Sequence, residues 1–201
     1  MAELKSTILK EHLAGPNANQ PVDTRTLCSF EKVEDLRYFI NCFYESLRLE
    51  PPTVTSGGIF TEPQSILGVN IRKGDLFVIN MQQMHHDERE WIEPESFIPE
   101  RFDHSSKYYL RPDGQKRHPF SFNPFIGGKR ICLGKTFAEI VAKFVVPTLL
   151  SRWEFDFVDQ DLKSGKKPKP RLNIDMEDEP VIMMTIKRAN LQAGTDGPAA
   201  K

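Results

Sequence analysis

A mainly α fold with small β-sheets is predicted by three features of the chain. Apolar stripes at helical spacing run from Glu31 to Leu49 and from Gly134 to about Ser151. Short alternating segments lie between and after these stripes, and fifteen prolines interrupt the remainder. Recurrence at i, i+3 and i+4 marks amphipathic helices, alternation marks strands, and dense proline marks irregular connections. At 201 residues, the chain suffices for one substantial domain or two small ones.

Taken in order, Ala2 to about Leu13 reads as a helix with Leu4, Ile8 and Leu9 on one side, stopped by Gly15-Pro16-Asn17. A polar loop follows to about Ser29. Val33, Leu36, Ile40, Phe43 and Leu47 make Glu31–Leu49 the strongest helix in the chain. Pro51-Pro52 ends it, because proline lacks the N–H and its ring clashes with the preceding turn. Ser65–Ile71 and Leu76–Asn80 read as strands joined by an Arg72-Lys73-Gly74 turn. Residues 85–124 hold Pro, Asp, Asn and aromatics with no sustained period; so long a loop is functional or clamped by side chains. The helix after Gly134 has Phe137, Ile140, Val141 and Phe144 on one face, and Pro147 is expected to kink it or end it early. Trp153–Val158 and Pro180–Lys187 alternate like strands. Ser164–Arg171 reads as a charged linker or hairpin tip, and Ala189–Lys201 as a disordered tail without apolar anchors. No internal repeat is present.

Composition excludes several classes of function. Lys plus Arg is 27 against 28 for Asp plus Glu, so the net charge of −1 does not point to nucleic acid or an acidic surface. Cys28, Cys42 and Cys132 form no CxxC pair, which argues against a zinc knuckle or a disulfide framework and for a reducing compartment. No signal peptide or spanning segment is evident.

The chemistry concentrates in Asn123-Pro124-Phe125-Ile126-Gly127-Gly128-Lys129-Arg130-Ile131-Cys132-Leu133-Gly134. A thiolate needs help in an apolar site, since burial raises the thiol pKa. The helix opening near Gly134 and the cations Lys129 and Arg130 offer that help. Gly127, Gly128 and Gly134 allow a sharp turn and close approach to a flat macrocycle. Phe125 can shield the sulfur. A lone cysteine is usually a small core hydrophobe, but here the glycines, the aromatic and the arginine arrive together at fixed offsets.

The run satisfies FxxGxRxCxG and resembles the haem-ligand loop of the cytochrome P450 family. Three other segments strengthen the resemblance in the right order. Glu45-Ser46-Leu47-Arg48 matches ExxR, Pro99-Glu100-Arg101-Phe102 matches PERF, and His85-His86-Asp87 before Trp91 looks like the HxD segment. Glu45 and Arg48 lie one helical turn apart and can form a charge-assisted pair. The resemblance implies that Arg101 joins them in a structural Glu–Arg–Arg network holding the cysteine loop.

By that resemblance, residues 1–188 are the C-terminal haem-binding part of a cytochrome P450 domain, with a mainly α fold and small sheets. Cys132 becomes the axial ligand of the iron of haem b, Arg130 pairs with a haem propionate, and Phe125, Gly128 and Gly134 shape the loop. The implied activity is insertion of one oxygen atom from O2 into a small, lipophilic organic substrate. Electrons would come from a redox partner such as a reductase. The segment Arg111–Lys143 carries Arg111, Lys116, Arg117, Lys129, Arg130, Lys135 and Lys143 against Asp113 and Glu139, and docking is expected near Lys129, Lys135 and Lys143. If the full-length protein is anchored, the implied home is the cytosolic face of the endoplasmic reticulum membrane, through a segment not in this chain.

Two positions depart from the family pattern. Gly57-Gly58 stands where many members carry a propionate-binding arginine, and Ile126 replaces the small or polar residue usual after the loop phenylalanine. The distal helix of the family, with its acid–alcohol pair, is not represented, so the isolated chain is expected to bind haem weakly and turn nothing over. Val54, Thr55 and Ser56 are candidate substrate contacts or plain strand. His86 and His118 are expected to be loop hydrogen-bonders. Alternatives are a catalytically inactive haem-binding remnant, a haem-thiolate isomerase or peroxygenase, and a cysteine hydrolase using Cys132 with His85 or His118. The last leaves ExxR and PERF unexplained.

Overall fold

The computed structural model describes residues 36–164 and 184–188. The expected helix at 2–13, the polar loop after it, residues 31–35 of the long helix, residues 165–171 of the linker, residues 180–183 of the last strand and the 189–201 tail lie outside the described residues. Leu36–Lys143 forms one unit, and the described residues from Phe144 onward belong to a second.

Helix α1 (Arg37–Leu49) buries Phe39, Cys42, Glu45, Arg48 and Leu49. The expected stripe through Ile40, Phe43 and Leu47 is only half-buried. The inward face is rotated because Glu45 and Arg48 are themselves fully buried, which is tolerable only for paired and hydrogen-bonded charges. The helix ends where the Glu50 N–H bonds to Ser46 O, just before Pro51-Pro52.

Strand β1 (Thr55–Ile59) pairs antiparallel with β4 (Leu76–Asn80), Thr55 opposite Asn80 and Ile59 opposite Leu76. Between them, β2 (Gln64–Ile66) and β3 (Val69–Ile71) form a hairpin. The expected single strand Ser65–Ile71 is therefore two, folded at Leu67-Gly68, where φ is 49° and 81°. Positive φ at both central residues matches the right-handed twist of a two-residue hairpin. The expected turn at Arg72-Lys73-Gly74 does form, with Gly74 at φ 92°. It returns the chain to β1, not onto the Ser65–Ile71 segment.

Helix α2 (Met81–His85) follows β4 directly, with Asn80 Oδ1 accepting the Gln83 N–H at 2.9 Å. Sequence periodicity missed it, since five residues cannot display a helical repeat. Short 3-10 turns at Pro99–Phe102, Lys107–Tyr109 and Gly128–Arg130 punctuate the long connection that follows.

Helix α3 (Lys135–Arg152) continues through Pro147, contrary to an early end there. In the second unit, β5 (Trp153–Phe157) pairs antiparallel with β6 (Met184–Arg188), and α4 (Gln160–Lys163) lies between them in sequence. Among the described residues no helix is long and apolar enough to cross a membrane.

Candidate functional site

Helix α1 presents Glu45 and Arg48 one turn apart, and the long connection brings Arg101 to them. The Glu45 carboxylate accepts four hydrogen bonds, from Arg48 Nε at 2.8 Å, Arg48 Nη2 at 2.9 Å, Arg101 Nε at 3.0 Å and the Ile98 N–H at 2.9 Å. The remaining guanidinium donors reach main-chain carbonyls. Arg48 donates to His85 O at 2.8 Å and Ser96 O at 3.1 Å. Arg101 donates to Ile92 O, to Glu93 O at 2.6 Å and to Ser96 O at 3.2 Å. Both arginines and Glu45 are fully buried. Burial pulls the Arg101 pKa down, while Glu45 opposes that shift. One carboxylate and two guanidiniums thus tie residues 92–101 to α1, and every contact is charge-assisted.

Two further groups complete this cradle, and sequence reasoning missed both roles. Arg117, one of the seven cations of Arg111–Lys143, turns inward. It donates to Arg101 O at 2.6 Å and Tyr108 O at 2.8 Å, and its guanidinium lies 4.4 Å from the Trp91 ring centroid. Burial first, then neighbouring Arg101, lowers its pKa to about 10. Tyr44, beside Glu45 in sequence, donates to Glu139 Oε1 on α3 at 2.8 Å; burial and that carboxylate push its phenol up. The Tyr44, Trp91, Phe102 and Phe122 rings pack in one cluster, with Phe102 and Phe122 centroids 4.9 Å apart. No local pattern marks either role, because their partners are distant in sequence.

In the HxD segment, Asp87 organises a turn: its carbonyl accepts the Trp91 N–H at 2.9 Å and its carboxylate binds the exposed Arg89. That pairing holds the Asp87 pKa near 2. His86 Nδ1 meets Gln82 O at 2.8 Å, and His118 Nδ1 accepts the Phe120 N–H at 3.2 Å. His85 is fully buried, and its Nε2 accepts the Asn123 N–H at 3.0 Å. Neither His85 nor His118 is hydrogen-bonded to Cys132 among the described residues, so the geometry gives the hydrolase alternative no thiol–imidazole pair.

The cysteine loop closes on itself through the Cys132 N–H, which donates to Phe125 O at 2.8 Å. Cys132 is exposed. Phe125 is half-buried and lines a cavity of about 290 Å³ with Tyr44, Phe102, Phe122, Ile126 and Lys135. Of the three loop glycines, Gly128 is the one in the left-handed region, at φ 65°. Gly127 and Gly134 do not need that conformation; a Cβ on Gly134 would stand 3.6 Å from Cys132 Sγ, an ordinary contact on the flank of the sulfur. Ile126 takes φ 58°, a region unfavourable to β-branched side chains. The position flagged as unusual from sequence is thus a strained one. Helix α3 begins at Lys135, whose N–H bonds to Cys132 O at 3.3 Å.

Elsewhere, Thr55 and Ser56 lie in β1, which Val54 precedes. At Gly57-Gly58, a Cβ on Gly57 would lie 2.2 Å from Phe77 O, whereas one on Gly58 would meet only the Phe77 ring, at 3.1 Å. Lys129, Arg130 and Lys116 are exposed. Arg111 instead pairs with Glu90 at 3.7 Å and Asp113 at 3.3 Å, and Lys135 lies 4.0 Å from Glu139. Lys143 is half-buried. With Arg117 also turned inward, the basic surface is smaller than the count of seven cations suggested.

These motifs define the class. The family model for cytochrome P450 matches residues 18–183. Cytochrome P450 4F5 of Rattus norvegicus is 36% identical over 141 residues, covering 70% of this chain and 25% of that protein. Cytochrome P450 4d2 of Drosophila melanogaster is 30% identical over 173 residues, 86% of this chain and 30% of that protein. The solved structure of retinoic acid-bound cyanobacterial CYP120A1 superposes with a TM-score of 0.64 at 25% identity, covering 79% of this chain and 33% of that one. The chain belongs to the cytochrome P450 family and spans about a quarter to a third of these relatives.

Proposed function

We propose that this chain supplies the thiolate side of a haem b monooxygenase site, in which Cys132 would hold the iron through its sulfur. The supporting observation is an exposed thiol held by a closed loop beside a buried, hydrogen-bonded cradle. The surface suits a flat apolar group, because Ile131 and Leu133 on either side of Cys132 are exposed, Leu133 at 99%. A thiolate-ligated haem, when bound, supplies oxygen activation, since the sulfur donates electron density that favours O–O cleavage.

The protein's part is binding and orientation. Arg130 is exposed at the end of the 3-10 turn, and its planar guanidinium suits a propionate carboxylate. Gly57-Gly58 offers no second guanidinium, so Arg130 carries more of that anchoring from this chain. Gly128 sets the turn, Gly134 leaves the flank of the sulfur open, and Phe125 accepts the Cys132 N–H. Glu45, Arg48 and Arg101 hold the connection that leads to the loop. In the whole protein the substrate is a lipophilic organic molecule, and the electron donor is a reductase docking near Lys129, Lys135 and Lys143.

The test is addition of haemin in excess, because weak binding is expected, followed by reduction and carbon monoxide. Wild type should give a thiolate-type carbonyl band that Cys132→Ala abolishes. A band that survives in Cys132→Ala, or is absent from haem-saturated wild type, overturns the reading.

A further inference from the structure

We propose that His85 is the positioning residue that transmits the Glu45–Arg48–Arg101 network to the cysteine loop, as a neutral imidazole protonated on Nδ1. His85 joins the two regions through different atoms. Its carbonyl accepts Arg48 Nη1 at 2.8 Å. Its ring Nε2 accepts the main-chain N–H of Asn123 at 3.0 Å. A backbone N–H can only donate, so Nε2 is the acceptor nitrogen and the proton sits on Nδ1.

From Asn123 the path continues into the ligand loop. Asn123 O accepts the Ile126 N–H at 3.2 Å, and Phe125 O accepts the Cys132 N–H at 2.8 Å. Each step is main chain, so a shift at Asn123 moves the turn that carries Cys132. The imidazole is well placed to resist such a shift: it is fully buried, and its centroid lies 5.4 Å from that of Phe122. Its Nδ1 has no hydrogen-bond partner among the described residues.

The hydrogen bond stands on this structure alone, whereas its importance for an iron ligand rests on the function proposed above. The experiment therefore uses the full chain without haem. Nitrogen-15 NMR of histidine-labelled protein should show His85 with Nδ1 protonated and Nε2 bare. Amide exchange at Asn123 should accelerate about tenfold in His85→Phe, the loss of one hydrogen bond in a locally opening segment. Helix α1 should stay protected in that variant. His85→Gln, whose side-chain oxygen can accept in place of Nε2, should restore protection at Asn123. An Nε2–H tautomer, an Asn123 amide indifferent to His85→Phe, or equal loss of protection in α1 and the loop in both variants overturns the proposal. Failure of haem ligation with these results intact would count against the functional reading and leave the His85 linkage standing.

Discussion

The two motif regions of this molecule are finished to different degrees. The Glu45–Arg48–Arg101 cradle is fully buried and hydrogen-bonded by residues of this chain. The Cys132 loop leaves its thiol and its apolar neighbours exposed, with one residue in a strained conformation. The cradle is folding chemistry, complete in itself. On the function proposed above, the loop is binding chemistry, with its thiol left open to a ligand. Substitutions should therefore cost the most stability in the first region and the least at the exposed thiol of the second.

The largest expected effect is at Glu45. Glu45→Ala leaves two guanidiniums buried without their counter-charge and should cost about 3–5 kcal/mol in chemical denaturation. A loss below about 1 kcal/mol, the range of an exposed ion pair, would show that the cradle does not hold the unit together.

Acid should act through His85 next. Burial first, then Arg48 and His86, lowers its pKa from 6.5 to about 4. Between those values the unfolded chain binds a proton that the folded chain refuses. Stability from this group is therefore unaffected above about pH 6.5, falls as the pH drops toward 4, and levels off below. The loss amounts to about 3 kcal/mol at most. The check is the difference between wild-type and His85→Phe denaturation curves over that range; parallel curves contradict it.

A smaller effect is expected at Gly128. It has φ 65° with open space around it, so Gly128→Ala isolates the backbone penalty. That penalty should be about 1–2 kcal/mol. Least of all, Cys132→Ser in the haem-free chain should change stability by less than about 0.5 kcal/mol, as for other exposed positions. A larger loss at Cys132 would mean that the thiol is structural and erase the contrast between the regions.

Much of this was legible in the sequence, for a physical reason. ExxR, PERF and the cysteine loop are local spacings; the resemblance they carry points to Glu45, Arg48 and Arg101, which the fold brings together, and to Cys132, whose role is the proposal. The mainly α fold with small sheets followed from two apolar stripes and short alternating runs. What was not legible depends on partners far apart in the chain. The pairing of β4 with β1, the inward turn of Arg117 and the Tyr44–Glu139 hydrogen bond have no local signal. The rotated face of α1 was obscured for a related reason, since charged Glu45 and Arg48 occupy core positions that hydrophobic periodicity assigns to solvent.

The central claim is that the Cys132 sulfur binds iron. Resonance Raman spectra of the haem-loaded chain, grown with natural and sulfur-34 cysteine, test it most directly. The expected result is an iron–sulfur stretching band that moves with the heavier isotope and vanishes in Cys132→Ser. A haem-loaded protein with no isotope-sensitive band, or one whose band persists in Cys132→Ser, would contradict the claim.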